Sequence, residues 1–282
     1  GYFNKTPLED CINNRNSRTA LLLLNNDKIE LSKDKQTNIY HEQEQESLLH
    51  VACRFGLAEI VDNFLQKKLF DVNDKTAEGI RPIHLACLSG NFETVETIVE
   101  QRKKAVKFNG KVTKGEYKGF TPLHFACISG NPKIVSFLLR DEYKIDINLK
   151  EAVKKWTPLQ YAVFNGHTEV VSLLLDQSDI ETDMKTSGEE ETLLHLACNS
   201  NKEGTVDLLI NHPNISQPFD LNAKTSRGKT PLQIALSHGN YKMVSLLLNI
   251  DVNTNSKSKK KKGSSKQSDI DPNLPGNNGK PP

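Results

Sequence analysis

The feature that most constrains this 282-residue chain is a stretch that recurs seven times with one register. Its clearest copy, residues 121–139, reads TPLHFACISGNPKIVSFLL. Thr121 is suited to cap a helix whose first residue is Pro122, where a missing N–H is harmless and the fixed φ helps. Leu123, Phe125 and Ala126 face inward, and Gly130 ends the helix with a left-handed residue. Asn131 and Pro132 then open a second helix, with Ile134, Val135, Leu138 and Leu139 as its apolar stripe. Isolated helices shorter than about 12 residues are marginal in water, so each pair must bury its apolar face against neighbours.

The other copies open at Thr6, Ser47, Arg81, Thr157, Thr192 and Thr230, giving successive spacings of 41, 34, 40, 36, 35 and 38 residues. The first has Arg15 where the turn glycine belongs and a polar Asp10 at an inward position, as a capping unit needs. In the sixth, Asn201 replaces the glycine, a tolerated substitute for a left-handed residue. Two junctions are long, residues 28–46 and 103–119, and their polar, charged character reads as surface insertion. In the fifth unit Lys154 and Lys155 stand where a turn glycine is expected before Trp156, which predicts a distorted connection.

The pattern resembles the ankyrin repeat family, whose unit of about 33 residues carries a T-P-L-H-x-A signature. The resemblance implies an all-α fold, an ankyrin-repeat solenoid of stacked helix-turn-helix units with extended finger hairpins between them. It covers residues 6–253 and implies an ankyrin repeat domain at 1–253, with repeat helices starting from about 6, 47, 81, 121, 157, 192 and 230. Residues 254–282 read as a disordered Lys-rich tail, because Lys, Ser, Asn, Gly and Pro with few apolar residues cannot offset the entropy of ordering. Charge divides accordingly: the whole chain is +2, but seven lysines and two aspartates put the positive charge in residues 256–282.

Four His-x-x-Cys pairs, His50/Cys53, His84/Cys87, His124/Cys127 and His195/Cys198, invite a metal reading. Helices in adjacent repeats stack about 8–10 Å apart, so two pairs cannot easily close one tetrahedron. In the family the histidine is a hydrogen-bonding residue near the helix start, and the cysteine replaces an alanine. Thiols at core positions are inert, and the chain has no P-loop, dinucleotide fingerprint or H-E-x-x-H. The expectation is therefore no enzyme, no cofactor, no metal and no small-molecule substrate. Five cysteines, an odd number with four in register and Cys11 one place earlier, predict free thiols in a reducing, cytoplasmic setting. No apolar run approaches membrane-spanning length.

The resemblance implies a protein partner held on a concave face of fingers and first helices, with variable positions just before the helix cap and just before the turn glycine. Apolar and aromatic residues concentrate at Phe55, Ile80, Phe120, Ile128, Trp156 and Phe164, which are the expected partner-binding residues. For Phe120 and Trp156 the competing expectation is packing against neighbouring fingers. Lys259, Lys260, Lys261 and Lys262 read as part of a solvated linker, a nuclear-import signal, or a nonspecific contact for nucleic acid or anionic lipid. The functional expectation is a non-enzymatic scaffold or adaptor in signalling. The alternative is the regulatory ankyrin region of a larger signalling protein, with a kinase, channel or death-type domain outside these residues, a reading that Gly1 in place of Met favours.

Overall fold

The computed structural model describes residues 6–26, 46–213, 215 and 219–249. The Lys-rich tail, including residues 259–262, and nearly all of the first long junction lie outside them. The chain forms two compact units, Gly1–Val153 and Lys154–Pro282. Among the described residues all regular elements are helical.

The first unit holds four helix pairs: α1 (Pro7–Asn13) with α2 (Ser17–Leu24), α3 (Leu48–Arg54) with α4 (Ala58–Gln66), α5 (Pro82–Ser89) with α6 (Phe92–Arg102), and α7 (Pro122–Ser129) with α8 (Pro132–Leu138). A short 3₁₀ turn follows at Asp141–Tyr143. The second unit holds α9 (Pro158–Asn165) with α10 (Thr168–Leu175), α11 (Leu193–Asn199) with α12 (Glu203–Asn211), and α13 (Pro231–Ser237) with α14 (Tyr241–Leu247). Within each unit first helices pack on first helices and second helices on second helices. The interior is a row of aliphatic and aromatic side chains, among them Ile12, Leu49, Phe64, Ile83, Leu123, Phe125 and Leu159, each essentially fully buried. Burying one such side chain contributes about 1.5–3 kcal/mol.

Every first helix begins at the residue that opens its repeat: Thr6, Ser47, Arg81, Thr121, Thr157, Thr192 and Thr230 are the N-caps. Three residues on, the side chain folds back to the cap. In the first repeat Glu9 does so, accepting from the Thr6 N–H at 2.6 Å. In others histidine does: Nδ1 accepts the cap N–H of Arg81 by His84 at 2.9 Å, of Ser47 by His50 at 3.3 Å and of Thr192 by His195 at 3.2 Å. The Thr121 N–H likewise donates to His124 Nδ1 at 3.2 Å, and the hydroxyls of Thr121, Ser47 and Thr192 each lie 2.8 Å from the ring nitrogen of their own histidine.

With Nδ1 accepting, the ring proton sits on Nε2, which donates into the next finger. His50 reaches the carbonyls of Asp74 at 3.1 Å and Ile80 at 3.2 Å, His84 that of Gly110 at 2.8 Å, and His195 that of Lys229 at 3.0 Å. Gln160 reproduces the bridge with an amide, accepting from Thr157 N–H at 2.9 Å and donating to the Met184 carbonyl at 3.3 Å. Each bridge ties a helix start to the finger that follows it.

Three of the fingers share one hairpin closure. Thr76 N–H donates to the Ile80 carbonyl, Thr186 to Glu191 and Thr225 to Lys229, at 2.9–3.0 Å. The threonine hydroxyl accepts in return from the N–H of Ile80, Glu191 and Lys229. Before α7 the hairpin is longer: Val112 N–H donates to Phe120 at 2.9 Å, and Gly119 N–H to Val112 at 2.8 Å. The second long junction is therefore not a loose surface insertion. Val106, Phe108 and Val112 are buried, and Phe108 stacks on Tyr143 with ring centroids 4.5 Å apart.

The tight turns use left-handed residues as expected, with φ of 68–75° at Gly56, Gly90, Gly130 and Gly166 and 58° at Asn201. The connection before Trp156 is not broken by its missing glycine. Lys155 takes φ 61°, and Glu190 takes φ 54° at the matching finger position. Second-helix C-termini gain a further tie within the first unit, since Lys67 Nζ donates to the Leu24 carbonyl and Arg102 Nη2 to the Leu65 carbonyl.

Two tests follow from these features. Burial holds His50 down at about 4 and His84 at about 3, and lowers His195 as well. Below the ordinary histidine value near 6.5 the unfolded chain takes up protons that the folded chain refuses, so stability falls as pH drops from there toward 4. The slope is at most about 1.4 kcal/mol per pH unit for each histidine. Urea denaturation at pH 7 and pH 5 should show this loss, and H50Q/H84Q/H195Q, copying Gln160, should largely abolish the difference. Lys155→Gly and Glu190→Gly remove left-handed strain and should each raise stability by roughly 0.5–1 kcal/mol, read from the same titrations.

Candidate functional site

The expected partner-binding residues separate into two groups. Ile80, Phe120 and Trp156, the finger positions, are only 7%, 4% and 7% exposed. Phe55 and Ile128, at the ends of α3 and α7, are half-buried, and Phe164, at the end of α9, is 40% exposed. Ile80 closes its finger hairpin and receives His50. Phe120 packs among Tyr117, His124 and Phe125, with centroids 5.3–5.4 Å away. These finger residues thus pack inward, while the helix ends present side chains outward.

In the first unit Phe55 carries the Arg15 guanidinium 4.8 Å above its ring. Arg54 beside it pairs with the buried Glu46. In the second unit Trp156 lies beneath Phe164, 5.3 Å between centroids, and against Tyr161 at 5.1 Å. Lys154 spans both rings, its Nζ 4.7 Å from the Trp156 centroid and 6.0 Å from that of Phe164. The buried tryptophan thus acts as a floor that fixes the exposed phenylalanine, with a cation on the same rings. At the equivalent position of the next repeat Asn199 donates to the Glu191 carboxylate, and burial is the main reason that carboxyl titrates above its ordinary value.

The His-x-x-Cys residues are taken up by the fold. No group of three or more His, Cys, Asp or Glu among the described residues is arranged to hold a metal ion. Both ring nitrogens of His50, His84 and His195 are engaged in the bridges already described. Cys53, Cys87, Cys127 and Cys198 are free and buried, and burial drives their thiols upward, Cys198 to about 12. Among the described residues no helix is long and apolar enough to cross a membrane.

Two features escaped the sequence reading. The finger threonines Thr76, Thr186 and Thr225 were visible as a recurring Lys-Thr pair at 75–76, 185–186 and 224–225. Arg81 stands where the other repeats have Thr or Ser, and lacks any acceptor for a cap. Its Nε and Nη1 are buried without a hydrogen-bond partner.

A sequence model described as ankyrin repeats (three copies) matches residues 8–109, 49–151, 102–186 and 178–257. The chain belongs to the ankyrin repeat family. Among solved structures it is similar to the human ASB11 ankyrin repeat domain, with a TM-score of 0.61 and 24% identity over 75% of this chain and 87% of that one. It is also similar to the ankyrin repeat domain of Bcl-3, described as a unique member of the IκB protein family, with a TM-score of 0.60 and 22% identity over 86% of this chain and 98% of that one. No curated protein matches the chain. Members of this family are in general protein-interaction modules without enzymatic activity.

Burial and the upward shift of four thiols predict their chemical silence. In native protein an aromatic disulfide reagent at pH 8 should react promptly with Cys11 alone, which is partly exposed, and the remaining four should appear only on adding denaturant.

Proposed function

We propose that the chain is a protein-interaction scaffold whose contacts lie at the ends of the first helices. The observation that carries this reading is Phe164, a large aromatic 40% exposed and fixed over a buried tryptophan. An aromatic side chain already held in place loses little conformational freedom on binding, which favours it as an anchor. Lys154, Asn165, Glu191 and Asn199 supply polar groups in the same region of the second unit, and Phe55 and Ile128 are the corresponding contacts in the first. The finger residues Ile80, Phe120 and Trp156 act beneath these contacts, as supports. The partner is a protein engaged without chemistry on it, and the role we assign is that of an adaptor in signalling.

The test separates contact from support. Phe164→Ala, and separately Phe55→Ala with Ile128→Ala, should lose the proteins captured by crosslinking from a lysate of the source cells. Phe164→Ala should leave the urea midpoint within about 0.5 kcal/mol of the parent, as surface substitutions do. Trp156→Ala and Phe120→Ala should instead destabilise by about 3–5 kcal/mol through cavity formation. Unchanged capture by folded F164A and F55A/I128A overturns the assignment.

A further inference from the structure

A second surface in the first unit carries charge that the helix-end reading leaves unused. Residues 103–118 contain six lysines against one glutamate. Lys103 pairs with Glu142 at 2.5 Å. Lys107, Lys111, Lys114 and Lys118 are exposed, and among the described residues none of them has an ion-pair partner. These four cations outnumber the acidic groups beside them, Glu116 and the Glu78 carboxylate that lies against Gly115, so the segment keeps a positive local potential that attracts negative charge.

Their backbone is fixed. Lys107 and Lys111 alternate with the buried Val106, Phe108 and Val112. Gly110 N–H closes a tight turn onto the Lys107 carbonyl at 2.9 Å. Beyond it Thr113 N–H, Lys114 N–H and the Thr113 hydroxyl all donate to the Glu78 carbonyl, at 2.9, 3.0 and 2.8 Å, so the lengthened finger is fastened to the finger before it. Ala152 N–H donates to Lys118 at 2.9 Å on the following side.

Arg81 belongs to the same group. Its guanidinium fills the space that Gly110 leaves by having no side chain, for a Cβ there would come within 2.7 Å of Nη1. This sets a guanidinium against the turn between Lys107 and Lys111. Arginine here gives up the side-chain helix cap that Thr or Ser supplies and leaves two buried nitrogens without partners. Local rules are broken in this way where a residue serves a contact.

We propose that Lys107, Lys111 and Lys114, with the half-buried Arg81 guanidinium behind the turn that carries them, form a docking surface for an acidic segment of a protein partner. The proposal rests on reading the chain as a protein-interaction module and names the chemistry of a second contact. A protein segment fits better than the other polyanions. Within residues 103–118 Phe108 is buried and Tyr117 packs on Phe120 and Phe125, so no exposed aromatic ring offers a base a stacking platform. Among the described residues of the first unit the exposed large apolar side chains, Leu22 and Val153, lie outside the segment, which itself offers nothing to insert in a lipid surface.

The test uses the full chain and a fluorescein-labelled peptide of eight glutamates, read by anisotropy at 50 and 150 mM salt. K107E/K111E/K114E should weaken binding at least tenfold with an unchanged melting curve, whereas replacing Lys259 to Lys262 by Gln should change it less than threefold. Arg81→Thr should weaken the peptide about threefold while raising the melting temperature; an arginine of purely structural use would leave the affinity unmoved. Amide shifts on titration should centre on residues 107–114. The proposal is overturned if affinity follows the tail lysines instead, if a thymidine octamer or phosphatidylserine vesicles bind more tightly than the peptide, or if the peptide does not bind at 50 mM salt. The probe is a defined peptide, so its failure leaves the capture results for F164A and F55A/I128A standing, and the two readings fail separately.

Discussion

The structure depends on a bridge made by one side chain. The residue three places into each first helix folds back to the cap, and His50, His84, Gln160 and His195 also donate forward into the next finger. Helices of seven or eight residues cannot hold themselves together. The bridge fastens the start of each helix to the finger that continues the stack, and the apolar rows then meet in register. Two hydrogen bonds in a dry site are worth more than their modest net values suggest, because breaking one strands its partner without water.

This bridge also decides what the histidines and cysteines can do. A ring that accepts at Nδ1 and donates at Nε2 has no lone pair left for a metal and no reason to carry a proton. The thiol three residues on, nearly a full helical turn, is buried where its ionised form is disfavoured. A pattern that resembles ligand spacing is thus a consequence of repetition, since the same core position recurs wherever the same cap recurs.

The helices and their starts were legible because capping residues, prolines and turn glycines are local chemistry, and seven copies confirm one another. What sequence could not resolve was which side of the finger its last residue faces. Phe120 and Trp156 look like exposed hot spots when counted as variable positions, yet hairpin closure by Val112 and the ring of Tyr117, Phe125 and Tyr161 turn them inward. Phe164 was legible because helical periodicity places it off the buried stripe. The fixed course of residues 103–119 was hidden by its lysines: Val106, Phe108 and Val112 alternate with them, and an extended segment of that kind reads as polar when averaged. Lys155 shows the converse, since a missing glycine predicted distortion and the backbone instead accepted the strain, as it does at Glu190.

The lengthened finger before α7 has a consequence for how such a chain can change. Its hairpin closes over nine residues, Val112 to Phe120, where its counterpart closes over five, Thr76 to Ile80. Loop-closure entropy grows only with the logarithm of length, so the extra four residues cost about 0.5 kcal/mol. The helices on either side keep their stacking, because the added length emerges at the tip and away from the bridges. A finger tip is therefore a place where a repeat protein can acquire new side chains by insertion rather than by substitution, leaving the packed row unaltered while the surface it presents is rewritten.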